Sequence, residues 1–139
     1  MPPLRPEGAR QVRFLLADDS DDIRDVFCSF VRRTGHFILT ANDGLEAVDV
    51  LQRESFDVML LDLNMPHMGG VEVLQWLEAH PDVAPGMRVV VVTAHRQQHL
   101  THLTDLGVTT VIEKPFRLQR LNDLIAETLH DLGETQALS

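Results

Sequence analysis

Five short apolar runs alternate along the chain with segments in which apolar residues recur every three or four positions. The runs are rich in Val, Ile and Leu, as strands buried on both faces are, and they lie at residues 12–17, 36–40, 58–61, 87–93 and 109–113. The segments that follow them have the spacing of one helical face. Strands that alternate with helices predict an α/β domain: an open, doubly wound parallel sheet of five strands, with five helices on its two faces.

The predicted helices carry recognisable start signals and apolar faces. Ser20 or Asp21 is expected to cap the first helix, and Asp43 with Glu46 three residues later predicts a capping box for the second. The fourth helix is expected from about residue 95 to residue 106. The positions expected to face the sheet are Ile23, Val26, Phe27, Phe30 and Val31 in the first helix, Ala47, Val48 and Leu51 in the second, Val71, Leu74 and Leu77 in the third, and Leu118, Leu121, Ile125, Leu129 and Leu132 in the last.

Composition and charge narrow the class of protein. The 139 residues are 44% hydrophobic and 24% charged, which suits one globular domain with a core of its own. The formal net charge of −9 argues against nucleic-acid binding, because phosphate contacts need clustered Lys and Arg. No apolar run approaches the ~20 residues of a membrane span, and the single Cys28 allows no internal disulfide. We expect a cytoplasmic protein with a disordered leader at residues 1–10, one domain at 11–132 and a flexible tail at 133–139.

Chemically active side chains stand at the ends of four predicted strands. Asp18 and Asp19 follow the first strand, Asp62 follows the third, Thr93 ends the fourth and Lys114 follows the fifth. The carboxyl ends of parallel strands share one edge of the sheet, and in the order 2-1-3-4-5 the first and third strands are neighbours there. Clustered carboxylates raise one another's pKa, so a cation such as Mg²⁺, which prefers oxygen ligands, is expected among them. Acid, metal, hydroxyl and ammonium groups are the parts that phosphoryl transfer needs.

Four motifs, in this order, resemble the receiver domain of bacterial two-component response regulators, which is CheY-like. They are Asp18-Asp19, the run from Asp62 to Gly70, Thr93-Ala94 and Lys114-Pro115-Phe116, and the resemblance spans residues 12–132. It implies a flavodoxin-like sheet in the order 2-1-3-4-5 and a signalling switch rather than an enzyme with an external substrate. It also implies protein partners: a sensor histidine kinase or histidine phosphotransfer protein, a downstream target and, on phosphorylation, a second copy of the chain. Neither nucleic acid nor membrane is expected as a partner.

The same resemblance assigns roles to the residues around the predicted nucleophile. Asp62 would be the phosphoacceptor and would attack the phosphorus of a phosphohistidine. Mg²⁺ would be held by Asp19, Asp62 and the backbone carbonyl of Asn64, with Asp18 acting through water. The chain's own catalysis would be limited to phosphorylating and dephosphorylating itself.

Lys114 and Thr93 would connect the phosphoryl group to an output surface. Lys114 would contact the acids and then the phosphoryl group, Thr93 would move toward that group after transfer, and the Lys114-Pro115 bond is expected to be cis. The family usually has Tyr or Phe three residues before its Lys, where this chain has Val111. We therefore expect the face made by the fourth helix, the fifth strand and the last helix to switch without an aromatic rotamer change, through displacement of residues 93–99.

Two other functions and another metal site fit parts of the sequence. An aspartate-nucleophile phosphohydrolase uses similar side chains, but it carries Asp-x-Asp after its first strand and a cap insertion, whereas Asp62-Leu63-Asn64 follows the third strand here. A flavin-binding module needs a Ser/Thr/Gly-rich loop after the first strand, where the acidic residues 18–22 would repel a phosphate. His95, His99 and His102 share a helix face that could bind zinc or nickel, but a solvated or partner-facing helix is favoured because no other ligand of fixed spacing joins them.

Overall fold

A five-stranded parallel sheet in the order β2-β1-β3-β4-β5 runs through the centre of the protein, as predicted. In this computed structural model the described residues are 10–94 and 100–132, except the side chains of 100–102. The strands are β1 (Arg13–Ala17), β2 (Phe37–Ala41), β3 (Val58–Leu61), β4 (Arg88–Thr93) and β5 (Val108–Glu113), and the helices are α1 (Asp21–Arg33), α2 (Gly44–Arg53), α3 (Gly70–Ala79), α4 (Leu100–Asp105) and α5 (Leu118–Asp131).

The position of each strand in the sheet explains its apolar pattern. All four residues of β3 and four of the five in β1 are buried, because helices cover both faces of the central strands. Successive side chains point to opposite faces. Leu60 and Val90 therefore pack with α1 and α5, while Met59 and Val91 pack with α2, α3 and α4. At the edge of the sheet, β5 is only partly covered, and its Val111 is exposed.

Part of the predicted helix faces is wrong. Val26 of α1 and Leu118 of α5 are exposed rather than packed on the sheet. Val26 precedes the buried Phe27 in α1, and neighbouring residues of a helix point in different directions. Leu118 is the first residue of α5 and lies beyond the end of β5. Both line a shallow apolar groove with Phe116. Buried positions that the prediction omitted are Val50 of α2, Val73 of α3 and Leu124 of α5.

The caps of the first two helices follow the sequence signals closely. Ser20 caps α1, since its hydroxyl accepts the N–H of Ile23 at 3.3 Å. The carboxylate of Asp43 accepts the N–H of Glu46 at 2.8 Å, which is the first half of the predicted capping box. The carboxylate of Glu46 returns to the N–H of Asn42 at 3.0 Å rather than to Asp43. The cap therefore holds one residue more of the loop before α2 than expected.

Several predictions fall on residues outside the described ranges. Most of the predicted leader, the tail, and the start of the fourth helix with His95 and His99 lie at residues 1–9, 133–139 and 95–99. The Lys114-Pro115 bond is described and is cis, as predicted. Among the described helices none is both long enough and apolar enough to span a membrane.

Candidate functional site

Asp18 and Asp62 lie side by side at the carboxyl edge of the sheet because their strands are neighbours in register. Ala17 pairs with Leu61, so the next residue of each chain segment is an aspartate. The N–H of Asp62 donates to the carbonyl of Ala17 at 2.9 Å and fixes the second aspartate against the first strand. Asp18 and Asp62 are buried, with 1% and 6% of their surfaces exposed. The predicted meeting of these two acids is therefore found in the fold.

Asp19 completes a cluster of three carboxylates. One oxygen from each of Asp18, Asp19 and Asp62 lies within 4.8 Å of the others, and Asp19 is exposed to solvent. Oxygen donors of this kind suit a hard divalent cation that keeps some of its own water. The chemistry of the donor set thus fits Mg²⁺, with the solvent-facing Asp19 on the open side.

Lys114, which directly follows the edge strand β5, supplies the positive charge of the site. Its Nζ lies 2.9 Å from Oδ2 of Asp18 and 3.8 Å from Oδ2 of Asp62. Its backbone N–H donates to the carbonyl of Thr93 at 2.9 Å, which ties the ends of β5 and β4 together. Lys114 is also the only lysine in the sequence. One ammonium group therefore pairs with Asp18 and Asp62 in a cluster of three carboxylates.

The carboxylate of Asp18 is held by donors on both of its oxygens. Oδ1 accepts the N–H of Ser20 at 2.9 Å, and Oδ2 accepts from Lys114. The backbone carbonyl of Asp18 accepts from Arg24 at 2.9 Å, and Arg24 also pairs with Asp21. Sequence reasoning missed Arg24, although an arginine six residues beyond the acid, on the first turn of a capped helix, is close enough to return to it. Hydrogen bonds therefore hold both the carboxylate and the backbone carbonyl of Asp18 in place.

Asp62 has an environment that favours the protonated carboxyl. Burial raises the pKa of Asp62 above its usual value, and the neighbouring Asp18 and Asp19 charges raise it further. The N–H of Asn64, which donates to Oδ1 at 3.2 Å, and the Lys114 ammonium oppose that shift in pKa. Once ionised, a buried carboxylate whose charge is only partly balanced has basic oxygens that are suited to act as nucleophiles.

The loop after Asp62 returns very close to it at the start of α3. A Cβ on Gly70 would lie 2.5 Å from the carbonyl oxygen of Asp62 and 2.8 Å from Cα of Leu63. Only glycine allows this approach. The N–H of Gly70 donates to the carbonyl of Leu63 at 3.1 Å, which closes the loop.

The structure brings most of the predicted site residues together, with clear exceptions. Thr93 is buried at the end of β4 beside the Lys114 backbone. Asn64 is exposed, on the loop next to Asp62. Val111 is 37% exposed on β5, three residues before Lys114, and belongs to the open edge of the sheet. His95 and His99 lie outside the described residues.

Fold and site together define a class of protein: a doubly wound α/β domain with an acidic pocket and one lysine at the carboxyl edge, beside the strand pair where the order reverses. The model of the response regulator receiver domain matches residues 14–126, most of the chain. The chain therefore belongs to the response regulator receiver domain family and is a signalling domain of two-component systems.

Similar proteins agree with this membership. The chain is 28% identical over 118 residues to sporulation initiation phosphotransferase F of Bacillus subtilis strain 168, covering 84% of this chain and 93% of that protein. It is 32% identical over 113 residues to a response regulator receiver protein of Anaeromyxobacter sp., covering 81% of this chain and 46% of that one. The solved structure of the chemotaxis protein CheY4 of Vibrio cholerae superposes with a TM-score of 0.78 at 26% identity, covering 86% of this chain and all of the other.

Proposed function

We propose that Asp62 accepts a phosphoryl group from a phosphohistidine of a sensor histidine kinase or histidine phosphotransfer protein. The observation that carries this proposal is the nearly buried Asp62 carboxylate, which meets two more acids and the Lys114 ammonium at one edge of the sheet. An oxygen of Asp62 attacks phosphorus, and the new P–O bond forms as the P–N bond breaks. The imidazole nitrogen keeps the electron pair of the broken bond and takes up a proton.

The residues that would hold Mg²⁺ are Asp19, Asp62 and Asn64, the last through its backbone carbonyl. Asp18 suits a role through water, because both of its carboxylate oxygens already accept hydrogen bonds. When bound, the ion would neutralise charge on the acids and on the transferring phosphoryl oxygens.

Lys114 and Thr93 serve the phosphorylated state. The Lys114 Nζ lies between Asp18 and Asp62, so a small movement brings it to an oxygen of a phosphoryl group on Asp62. Thr93 lies at the end of the adjacent β4, and its hydroxyl supplies a second donor after an inward shift. Ammonium and hydroxyl donors that point to the phosphoryl oxygens stabilise the negative charge there without reorganisation of water.

The output surface in this proposal is the face of α4, β5 and α5. Val111 takes the place where the family usually has an aromatic ring, and a β-branched side chain has one stiff χ1 and a smaller reach. The signal therefore leaves through displacement of residues 93–99 rather than through a ring rotation. Amide shifts with a beryllofluoride phosphoryl mimic should change across residues 93–116 while Val111 keeps its rotamer. Changes confined to the Asp62 loop would instead indicate a domain that only stores or relays phosphate.

The proposed partners would bind at two places, the carboxyl edge of the sheet and the output surface. A kinase or phosphotransfer protein must reach Asp62 at the carboxyl edge, and a downstream target must distinguish the two states of the output surface. A homodimer formed on phosphorylation would use the same face. Residues 11–132 make up the domain, and the family match at 14–126 falls inside these bounds.

Phosphoramidate, which carries a P–N bond, tests the reaction without a partner protein. With Mg²⁺ we expect intact-mass spectrometry to show one phosphoryl group per chain. Chelation of the metal, or the Asp62→Asn substitution, should abolish uptake. Equal uptake with and without Mg²⁺ would overturn the metal-dependent mechanism.

A further inference from the structure

The loop between β3 and α3 is fastened to the start of α2. The N–H of Gly44 donates to the carbonyl of Met68 at 2.9 Å, and a Cβ on Gly44 would lie 2.3 Å from that same oxygen. One residue earlier on each segment, Nδ1 of His67 lies 2.9 Å from Oδ2 of Asp43. The loop that carries Asp62 and Asn64 is therefore joined to a second element through one backbone contact and one side-chain contact.

The chemistry of the pair fixes who donates. Oδ1 of Asp43 caps α2 by accepting the N–H of Glu46, and this contact first, with the His67 hydrogen bond second, holds the pKa of the Asp43 carboxyl below its usual value. An ionised carboxylate only accepts hydrogen bonds, so Nδ1 of His67 must carry the proton. Protonation of the other ring nitrogen adds a full positive charge to the same contact and converts it into an ion pair.

The backbone of His67 needs such a contact. Its φ is +66°, a region that non-glycine residues seldom occupy. The N–H of Met68 donates to the carbonyl of Pro66 at 2.7 Å, which closes a three-residue turn around His67. Unfavourable backbone conformations persist where the surroundings hold them in place. The side chain that occupies the strained position is also the one that reaches Asp43.

We propose that His67 is a positioning residue for phosphoryl transfer: its hydrogen bond to Asp43 latches the phosphoacceptor loop to α2 and keeps Asp62 and the Asn64 carbonyl in place. The inference rests on the proposed function of Asp62. Small displacements of reacting groups slow a reaction, so phosphoryl transfer to Asp62 is slower when this loop is loosened. The His67 side chain is 66% exposed, so the effect is modest, about two- to fivefold in rate.

Asp43 is the acidic partner of His67 at the start of α2. The other charged groups at the start of α2 and α3 are Glu46 and Glu72, whose carboxylates already accept the N–H groups of Asn42 and Gly69. Asp43 is therefore the carboxylate that pairs with His67 among the described residues of these segments.

Three substitutions separate the latch from the fold. Asp43→Ser keeps a good cap for α2 and removes the acceptor of His67. His67→Asn keeps an N–H donor and tolerates positive φ, so it preserves the strained turn while replacing the imidazole. His80→Asn is the matched control, since His80 is an exposed histidine at the far end of α3 whose ring bonds the carbonyl of Trp76.

The rate of phosphorylation by phosphoramidate with saturating Mg²⁺ is measured for wild type and for each variant. We expect Asp43→Ser to be about two- to fivefold slower than wild type. His67→Asn, which keeps an N–H donor, should lie between wild type and Asp43→Ser, and His80→Asn should match wild type. Equal rates for Asp43→Ser and wild type, or an equal effect of His80→Asn, would refute the latch.

Hydrogen exchange of the Gly44 amide tests the latch without any phosphorylation. Its bond to the carbonyl of Met68 should open more often in Asp43→Ser than in wild type, and unchanged exchange would count against the proposal. If wild type takes up no phosphoryl group, the proposed function fails, and the exchange result alone then decides whether the latch exists.

Discussion

The amino and carboxyl edges of the sheet both contain buried or partly buried polar side chains but use them differently. At the amino edge, Nδ1 of His36 accepts the N–H of Val12 at 2.9 Å, and Oδ2 of Asp57 accepts the N–H of Arg13 at 2.9 Å. Each side chain satisfies a backbone group at the start of β1. At the carboxyl edge, Asp18 and Asp62 share one ammonium group, that of Lys114.

The amino edge therefore holds the chain in its fold, whereas the carboxyl edge is suited to accept a ligand. A buried N–H group without a partner is costly, so the side chains that accept these groups at the amino edge contribute to stability. Carboxylates with incomplete charge balance cost stability until a cation restores that balance. The carboxyl edge is thus the place where binding and chemistry can alter the energy of the fold.

The largest expected effect is on chemistry at the carboxyl edge, from Lys114→Ala. Removing a donor aimed at developing charge typically lowers rates by about 10²–10³-fold. We expect phosphoramidate labelling to fall by that factor, with a loss of stability because Oδ2 of Asp18 loses its ammonium partner. Lys114→Arg, which keeps the charge, should lose less. Labelling of folded Lys114→Ala at the wild-type rate would remove Lys114 from the mechanism.

A substitution at the amino edge should affect stability alone. His36→Leu leaves the buried N–H of Val12 without its acceptor, and we expect a loss of about 1–3 kcal/mol in the free energy of unfolding. Denaturant melts measure it, with His80→Leu as the exposed control. Slower phosphorylation of the folded His36→Leu protein would break the division between the two edges.

Mg²⁺ should stabilise the protein through the carboxyl edge. We expect about 1–3 kcal/mol at metal concentrations well above the dissociation constant, read from the upward shift of melting curves. Asp19→Asn should lose most of this shift. Asp22→Asn, which changes another exposed acid on the first turn of α1, should keep it. An equal shift in both variants would mean that Mg²⁺ acts elsewhere.

The smallest effect is the relief of the buried charge on Asp62. Its raised pKa means that the folded protein binds the proton more tightly than the unfolded chain, so ionised Asp62 opposes folding. In metal-free buffer Asp62→Asn should be more stable by about 1 kcal/mol at neutral pH. The penalty is fully present above the raised pKa and shrinks as pH falls toward the unfolded value of about 3.9. A stability difference that does not change with pH would contradict this origin.

Periodicity predicted the five strands and five helices, the resemblance to receiver domains implied the sheet order, and strand-end chemistry predicted the acidic cluster. These features depend on local patterns and on one topological rule, that parallel strands end at a common edge. Helix rotation was harder: Val26 and Val73 each lie on the border of an apolar stripe, where one residue decides between core and solvent.

The partners of individual site residues could not be predicted. Lys114 lies nearer to Asp18 than to Asp62, and this choice depends on sub-ångström placement of three side chains. The contact between His67 and Asp43 joins residues 24 positions apart with no shared motif. Such pairs arise from how the loops pack, which the pattern of one sequence does not contain.

Mapping the acyl phosphate tests the central claim most directly. Wild type, Asp62→Asn and Asp57→Asn are incubated with phosphoramidate and Mg²⁺, digested, and examined by tandem mass spectrometry. Asp57 is the matched control, since it is a partly buried aspartate on the same segment but at the amino edge. We expect the phosphoryl group on Asp62 alone in wild type and Asp57→Asn, and none in Asp62→Asn. Label on the Asp18-Asp19 peptide, or wild-type labelling of Asp62→Asn, would contradict the account.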